Sequence, residues 1–233
     1  MSDGTAVIIG AGSGLSAAVA RRLSGAGYDL VLGARNTDKL SDLVSETRAR
    51  AVAMDGSVPA DVAALFDSID GPVRVAIYNP SARQRGPVAD LDPEQVRRAI
   101  EITAFGSFLL GQAAARRMQD QPEEDGRRGT ILFTGASAGT KGFAQSAPFA
   151  MGKFAQRGLA QSMARELHPK GVHVAWVNID GGIANVDRPE RADDGTDKML
   201  NPDAIAEGYL HLINQHRSTW SDELTLRPWV ETF

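Results

Sequence analysis

Gly10, Gly12 and Gly14 stand at alternate positions directly after the apolar run Ala6 to Ile9. Behind them, Leu15-Ser16-Ala17-Ala18-Val19-Ala20 opens a small-residue helix that ends near Gly25-Ala26-Gly27. A strand, a glycine-rich turn and a helix in that order make a dinucleotide site. Glycine permits a tight turn and lets the backbone approach a pyrophosphate. The residues from Gly10 through Gly12, Ser13, Gly14 and Leu15 then present N–H groups to the phosphates, where the helix dipole favours negative charge. Arg35 selects the cofactor. An NAD binder needs an acid at the end of the second strand to hold the ribose 2′-hydroxyl, whereas an arginine there suits a 2′-phosphate. This strand ends Gly33-Ala34-Arg35-Asn36 with no acid, so NADP is expected in preference to NAD.

The elements that position these residues alternate along the chain. Strands are expected at Ala6–Ile9, Tyr28–Ala34, Ala49–Met54, Val73–Tyr78, Thr130–Thr134, Val172–Ile179 and Glu223–Leu226. Helices fall between them: from Asn36 or Thr37 to about Thr47, over Pro59–Ile69, Pro93 to about Met118, Ala144–Leu167 and Pro202–Gln215. Asp92 is a good N-cap before Pro93 at the first helical position. The strands are near-continuously apolar, which implies a parallel sheet covered on both faces. The expected fold is therefore α/β: a single-domain, Rossmann-type, doubly wound parallel sheet of about seven strands, with helices on both faces, spanning residues 1–233. The charged, glycine-containing segment within 184–200 reads as a mobile substrate flap.

Composition excludes several functions. Of 233 residues, 25 are Lys or Arg and 29 are Asp or Glu, giving a net charge of −4 without a basic run, so no nucleic-acid partner is expected. There is no cysteine, hence no thiolate nucleophile and no disulfide framework. The four histidines lack paired spacing, so no metal site is expected, and His168 and His173 read as structural. No apolar run reaches the ~18–20 residues of a membrane span. A cytoplasmic protein without a membrane partner is expected.

Several stretches resemble the short-chain dehydrogenase/reductase family over nearly the whole chain. Ile9-Gly10-Ala11-Gly12-Ser13-Gly14-Leu15-Ser16 is similar to the family's T-G-x-x-x-G-[IL]-G turn, with Ile9 for Thr and Ser16 for the last Gly. Asp55 matches the family's Asp beside the adenine. Tyr78-Asn79-Pro80-Ser81 occupies the place of N-N-A-G, where only Asn79 matches. Gly106, Phe108 and the Gly129-Thr130-Ile131-Leu132 opening also fit, and Lys153 ends the Y-x-x-x-K pattern. The resemblance implies that Ile183 offers backbone groups to the carboxamide. It further implies that Lys153 holds the nicotinamide ribose, and that the helices 93–118 and 145–167 pair subunits into a homodimer or homotetramer.

The departures fall on the catalytic groups. In the family's Asn–Ser–Tyr–Lys set, the Asn falls on Thr103, the Ser on Ala136 and the Tyr on Phe149, and only Lys153 survives. Phe149 carries neither a proton nor an acceptor, and general acid catalysis is worth about 10²–10⁴-fold. Replacement donors are Ser137 (one residue out of register), Ser146 (three residues before Phe149), Tyr78 at the carboxyl edge of the sheet, and Asp180 after the sixth strand. Asp180 would need a pKa raised by desolvation. The expected function is NADP-dependent hydride transfer to a small organic molecule through a non-standard site. A carbon acceptor in an activated alkene or imine depends least on the missing Tyr. The alternative is a catalytically inactive nucleotide-binding sensor or partner subunit.

Overall fold

The computed structural model describes residues 3–231. In chain order the strands are β1 (Thr5–Ile9), β2 (Asp29–Ala34), β3 (Arg50–Ala53), β4 (Val73–Tyr78), β5 (Gly129–Thr134), β6 (Val172–Ile179), β7 (Gly182–Ile183), β8 (Met199–Leu200) and β9 (Glu223–Leu226). Seven of them form one parallel sheet in the order β3-β2-β1-β4-β5-β6-β9. Residues Ala6 to Ile9 are at most 1% exposed, because both sides of the strand are covered, and this is why β1 is apolar without alternation. Helices α1 (Leu15–Gly25), α2 (Ser41–Thr47), α3 (Pro59–Asp67), α4 (Pro93–Ile100), α5 (Gly106–Asp120), α6 (Ala147–Leu167) and α7 (Pro202–Asn214) complete a Rossmann-type α/β architecture. Helices α1, α2 and α7 share one core layer with the sheet, and α3, α5 and α6 the other.

Two helices differ from their expected course. The apolar spacing predicts one helix from Pro93 to about Met118, but a π-turn over Glu101–Phe105 separates α4 from α5. The cause lies on a neighbouring strand. Tyr78 Oη donates to the Ile102 carbonyl at 2.5 Å, supplying a partner from outside the helical ladder. The tyrosine reaches that far only because a Cβ at Gly106 would lie 1.9 Å from the same Oη. Helix α6 begins at Ala147 and not Ala144, since Gln145 takes φ +58. At the expected N-cap, Asp92 accepts the Glu94 N–H at 2.8 Å.

The flap is more structured than its composition suggests. Residues of β7 pair in parallel with β8, and Ala184 N–H donates to the Leu200 carbonyl at 2.9 Å. Trp229 donates Nε1–H to Asp197 of the flap at 3.0 Å. His173 Nε2 lies 2.8 Å from the Ser221 carbonyl, and its ring stacks on Trp220. Burial pushes the His173 imidazole down to about 4. Among the described residues no helix is long and apolar enough to cross a membrane, and no cluster of His, Asp or Glu is arranged to hold a metal.

Candidate active site

The strand order turns outward in opposite directions from β1 and β4, which leaves a crevice between their carboxyl ends. The glycine turn lies on that edge. Gly10 sits at φ +86, and a Cβ there would lie 2.6 Å from Pro80, so this position is closed to any larger residue twice over. Ser16 Oγ–H donates to the Gly10 carbonyl at 2.9 Å, and Asn79 Nδ2–H donates to Ser16 Oγ at 2.9 Å. Asn79 therefore clamps the turn to the end of β4. Gly14 starts α1 without a side-chain cap, leaving the first N–H groups of the helix outward-facing. A Cβ at Gly12 would meet nothing within 4 Å, and Ser13 is exposed on the same turn. An uncapped eleven-residue helix behind an open glycine turn fits a pyrophosphate.

Farther along the same edge, Arg35 is exposed beyond the end of β2. Asp55 follows β3, and its Oδ1 accepts the Ser57 hydroxyl at 2.6 Å and the Ser57 N–H at 2.9 Å. Its Oδ2 accepts Arg98 at 2.6 Å. Burial pushes the Asp55 carboxyl up, but the bonds from Ser57 and the Arg98 charge outweigh it and hold it below the usual range.

In the other direction the crevice widens into a cavity of about 760 Å³ between the ends of β4, β5 and β6, the approach to α6, and the flap. Gly14, Leu15, Asn79, Lys153 and Ile183 all line it. Lys153 is 2% exposed, so it is no solvated helix lysine. Its Nζ donates to the Thr134 carbonyl at 2.5 Å and to Gln156 Oε1 at 3.2 Å. Gln156 in turn donates to Ser107 Oγ at 2.8 Å, and Ser107 donates to the Thr103 carbonyl in the π-turn. Burial, then the nearby Arg83 charge, pushes the Lys153 ammonium down to about 7.

Two expected proton donors are corrected by this geometry. Tyr78 is fully buried below the cavity, and its O–H is committed to the Ile102 carbonyl. Desolvation also drives its pKa upward, away from acid catalysis. Asp180 has the opposite fault. Burial raises its carboxyl, yet hydrogen bonds from Ser137 and Arg227 and the charges of Arg227 and Lys141 prevail, so it is held below the carboxylate range as an ionised group. Arg227 grips its Oδ2 with Nε at 2.8 Å. The expected desolvated acid is thus a paired carboxylate, and Ser137 is drawn into that pair while still lining the cavity. Ser146 is the N-terminal flanking residue of α6 but makes no capping bond with its side chain, and it too lines the cavity.

Phe149 lies on the cavity wall at 7% exposure, with the Arg83 guanidinium 4.2 Å above its ring centroid. Thr103 is fully buried, and its Oγ1 accepts the Ala82 N–H at 3.1 Å, which ties down the loop that carries Arg83. The sequence reading missed Arg83, Arg85, Arg188 and Arg191, all on this cavity. The signal for the first pair was available: both lie just after Asn79, at the carboxyl edge of the sheet.

The family model for short chain dehydrogenases matches residues 4–193. An uncharacterized oxidoreductase of Staphylococcus epidermidis is 24% identical over 233 residues, covering 98% of both chains. A crystal structure of a short-chain dehydrogenase from Rhodopseudomonas palustris is 33% identical with a TM-score of 0.81, covering 97% of this chain and 99% of that one. A metagenomic short-chain oxidoreductase crystallised in complex with NADP is 26% identical with a TM-score of 0.81, covering 99% of each chain. This chain belongs to the short-chain dehydrogenase/reductase family.

Proposed function

We propose that the protein is an NADP-dependent oxidoreductase that reduces a small organic substrate in the Lys153 cavity through a non-standard site. The observation that carries this reading is Lys153 itself: a buried ammonium on a cavity wall continuous with an open glycine turn. Holding a charge there is costly, and such groups cluster where ligands bind. The phosphates would rest on Gly12, Ser13, Gly14 and the first turn of α1, with Arg35 on the 2′-phosphate and Asp55 beside the adenine. Lys153 and Ile183 would hold the nicotinamide end. The cofactor supplies a hydride.

The chain's own contribution to the second half of the reaction differs from that of its family. Phe149 donates nothing, and Tyr78 and Asp180 are unavailable as acids. Ser146 and Ser137 offer hydroxyls through which a water proton reaches the cavity. An activated alkene or imine suits this set better than a plain ketone.

One observation favours the second reading, a catalytically inactive nucleotide-binding sensor or partner subunit: the side chain of α6 that faces the cavity beside Arg83 is the ring of Phe149, which has no O–H to give. The test is an NADPH titration by fluorescence followed by a screen of carbonyls, activated alkenes and imines. Binding with turnover supports the enzyme; binding without turnover supports the sensor; no binding overturns both. Phe105, Phe108, Met151 and Phe154 are each more than 40% exposed on α6 and on the π-turn with α5, a face suited to a homodimer or homotetramer.

A further inference from the structure

We infer that the substrate is an anion, a carboxylate or phosphate monoester, whose charged end is held by Arg83 and Arg85 on one side and by Arg188 and Arg191 on the other. This inference rests on the oxidoreductase reading of the same cavity. Those four arginines and Lys153 line it, and no Asp or Glu does, although the protein as a whole carries a net charge of −4. None of the four arginines has a carboxylate partner among the described residues.

The cluster is assembled from two distant segments, each fixed by its own bonds. Thr103 holds Ala82, and Gly86 N–H donates to the Gln145 carbonyl at 3.1 Å, so the loop bearing Arg83 and Arg85 is tied at both ends. Phe149 then supports the Arg83 guanidinium from below. On the flap, Asn185 N–H donates to the Arg191 carbonyl at 3.0 Å and Arg191 N–H to the Arg188 carbonyl at 2.8 Å, which brings those two residues together in one turn. Burial and repulsion from Arg191, Arg85 and Arg188 all disfavour the charge on Arg83. Like charges gathered without a counter-ion raise the energy of the empty cavity, and an anion between them relieves it. Guanidinium forks match planar carboxylates and phosphates bidentately. Phe149 therefore gains a use as the platform for the anion-binding arginine.

The experiment is isothermal titration calorimetry on the NADPH-saturated protein with three probes: 4-formylbenzoate, its neutral methyl ester, and inorganic phosphate. Expected is 4-formylbenzoate or phosphate binding at least about tenfold tighter than the ester, the scale of one charge-assisted bidentate contact. Preference for 4-formylbenzoate assigns a carboxylate, and preference for phosphate a phosphate monoester. Arg83→Gln/Arg85→Gln abolishes the preference while leaving NADPH affinity unchanged. Arg85→Lys, a milder change, retains part of it. Equal binding of acid and ester, or no binding of either anion, overturns the proposal. So does loss of NADPH affinity in Arg83→Gln/Arg85→Gln, because the arginines would then serve the cofactor's phosphates. Absence of turnover leaves these binding readouts intact and counts only against the oxidoreductase reading.

Discussion

Lys153 makes a measurable link between cofactor binding and stability. Its folded pKa is about 7, against about 10.4 for a lysine in an unfolded chain. Between those values the unfolded state binds more protons than the folded state, so stability rises with pH across the window. At 1.36 kcal/mol per pKa unit, keeping this amine buried costs ~5 kcal/mol well below pH 7. The cost falls to ~4 kcal/mol at pH 7 and ~2 kcal/mol at pH 9, and vanishes above pH 11. Lys153→Met removes the titration. It also leaves the Thr134 carbonyl without its donor, at ~1–3 kcal/mol, but that loss does not depend on pH. Urea unfolding followed by tryptophan fluorescence, without nucleotide, isolates the slope. Relative to Lys153→Met, the wild type gains ~2 kcal/mol between pH 7 and pH 9. At a typical urea dependence that is a midpoint shift of ~1 M. The same variant loses at least about tenfold in NADPH affinity, the weight of a charge-assisted bond to the cofactor. Parallel pH profiles would falsify the buried-ammonium account, and unchanged NADPH affinity would refute the assignment of Lys153 to the cofactor.

Arg35→Ala weakens NADPH binding about tenfold and leaves NADH binding alone, as measured by nucleotide fluorescence titration; equal losses for both refute the 2′-phosphate contact. Gly10→Ala destabilises by ~2 kcal/mol from its positive φ alone, and more from Pro80, so its melting temperature falls and nucleotide affinity falls with it. Phe149→Tyr restores an O–H four residues before Lys153 and raises kcat for carbonyl probes by up to ~10²-fold; an unchanged rate shows that this ring does not face the reacting atoms. Phe105→Asp/Phe108→Asp/Phe154→Asp yields monomers in light scattering if those side chains form the subunit contact, and leaves the assembly unchanged if they do not.

The parts of this molecule legible in the chain are those whose causes are local. Apolar strands, the glycine turn, the Asp92 cap and the small-residue start of α1 all depend on neighbours in sequence. What escaped depends on distant partners. Asp180 reads as a desolvated acid until Arg227, 47 residues away, is seen holding it. Tyr78 reads as an edge hydroxyl until the Ile102 carbonyl, 24 residues on, accepts its hydrogen bond. The π-turn is invisible for the same reason, since the apolar spacing runs through it and only Tyr78 explains it. Each arginine looks like an ordinary surface charge, and the cluster exists only once the flap folds toward the loop after β4.

The residues that the resemblance sets at the family's catalytic positions are coupled to one another. Here the buried side-chain atoms without a hydrogen-bond partner among the described residues, in His173 and Asn178, belong to residues that do not line the cavity, and buried Arg22 Nε lies 2.6 Å from Glu207. Thr103, which the resemblance sets at the family's Asn position, uses its hydroxyl to hold the Arg83 loop. Phe149, which the resemblance sets at the Tyr position, carries the Arg83 guanidinium on its face. Ser137, one residue from where the resemblance sets the family's Ser, joins Arg227 in fixing Asp180 as an anion. Thr103 and Phe149 thus both bear on Arg83. On the anion-binding proposal the cavity offers Arg83 to its ligand where Phe149 offers no proton, which is why binding of an anion is the property to measure before turnover.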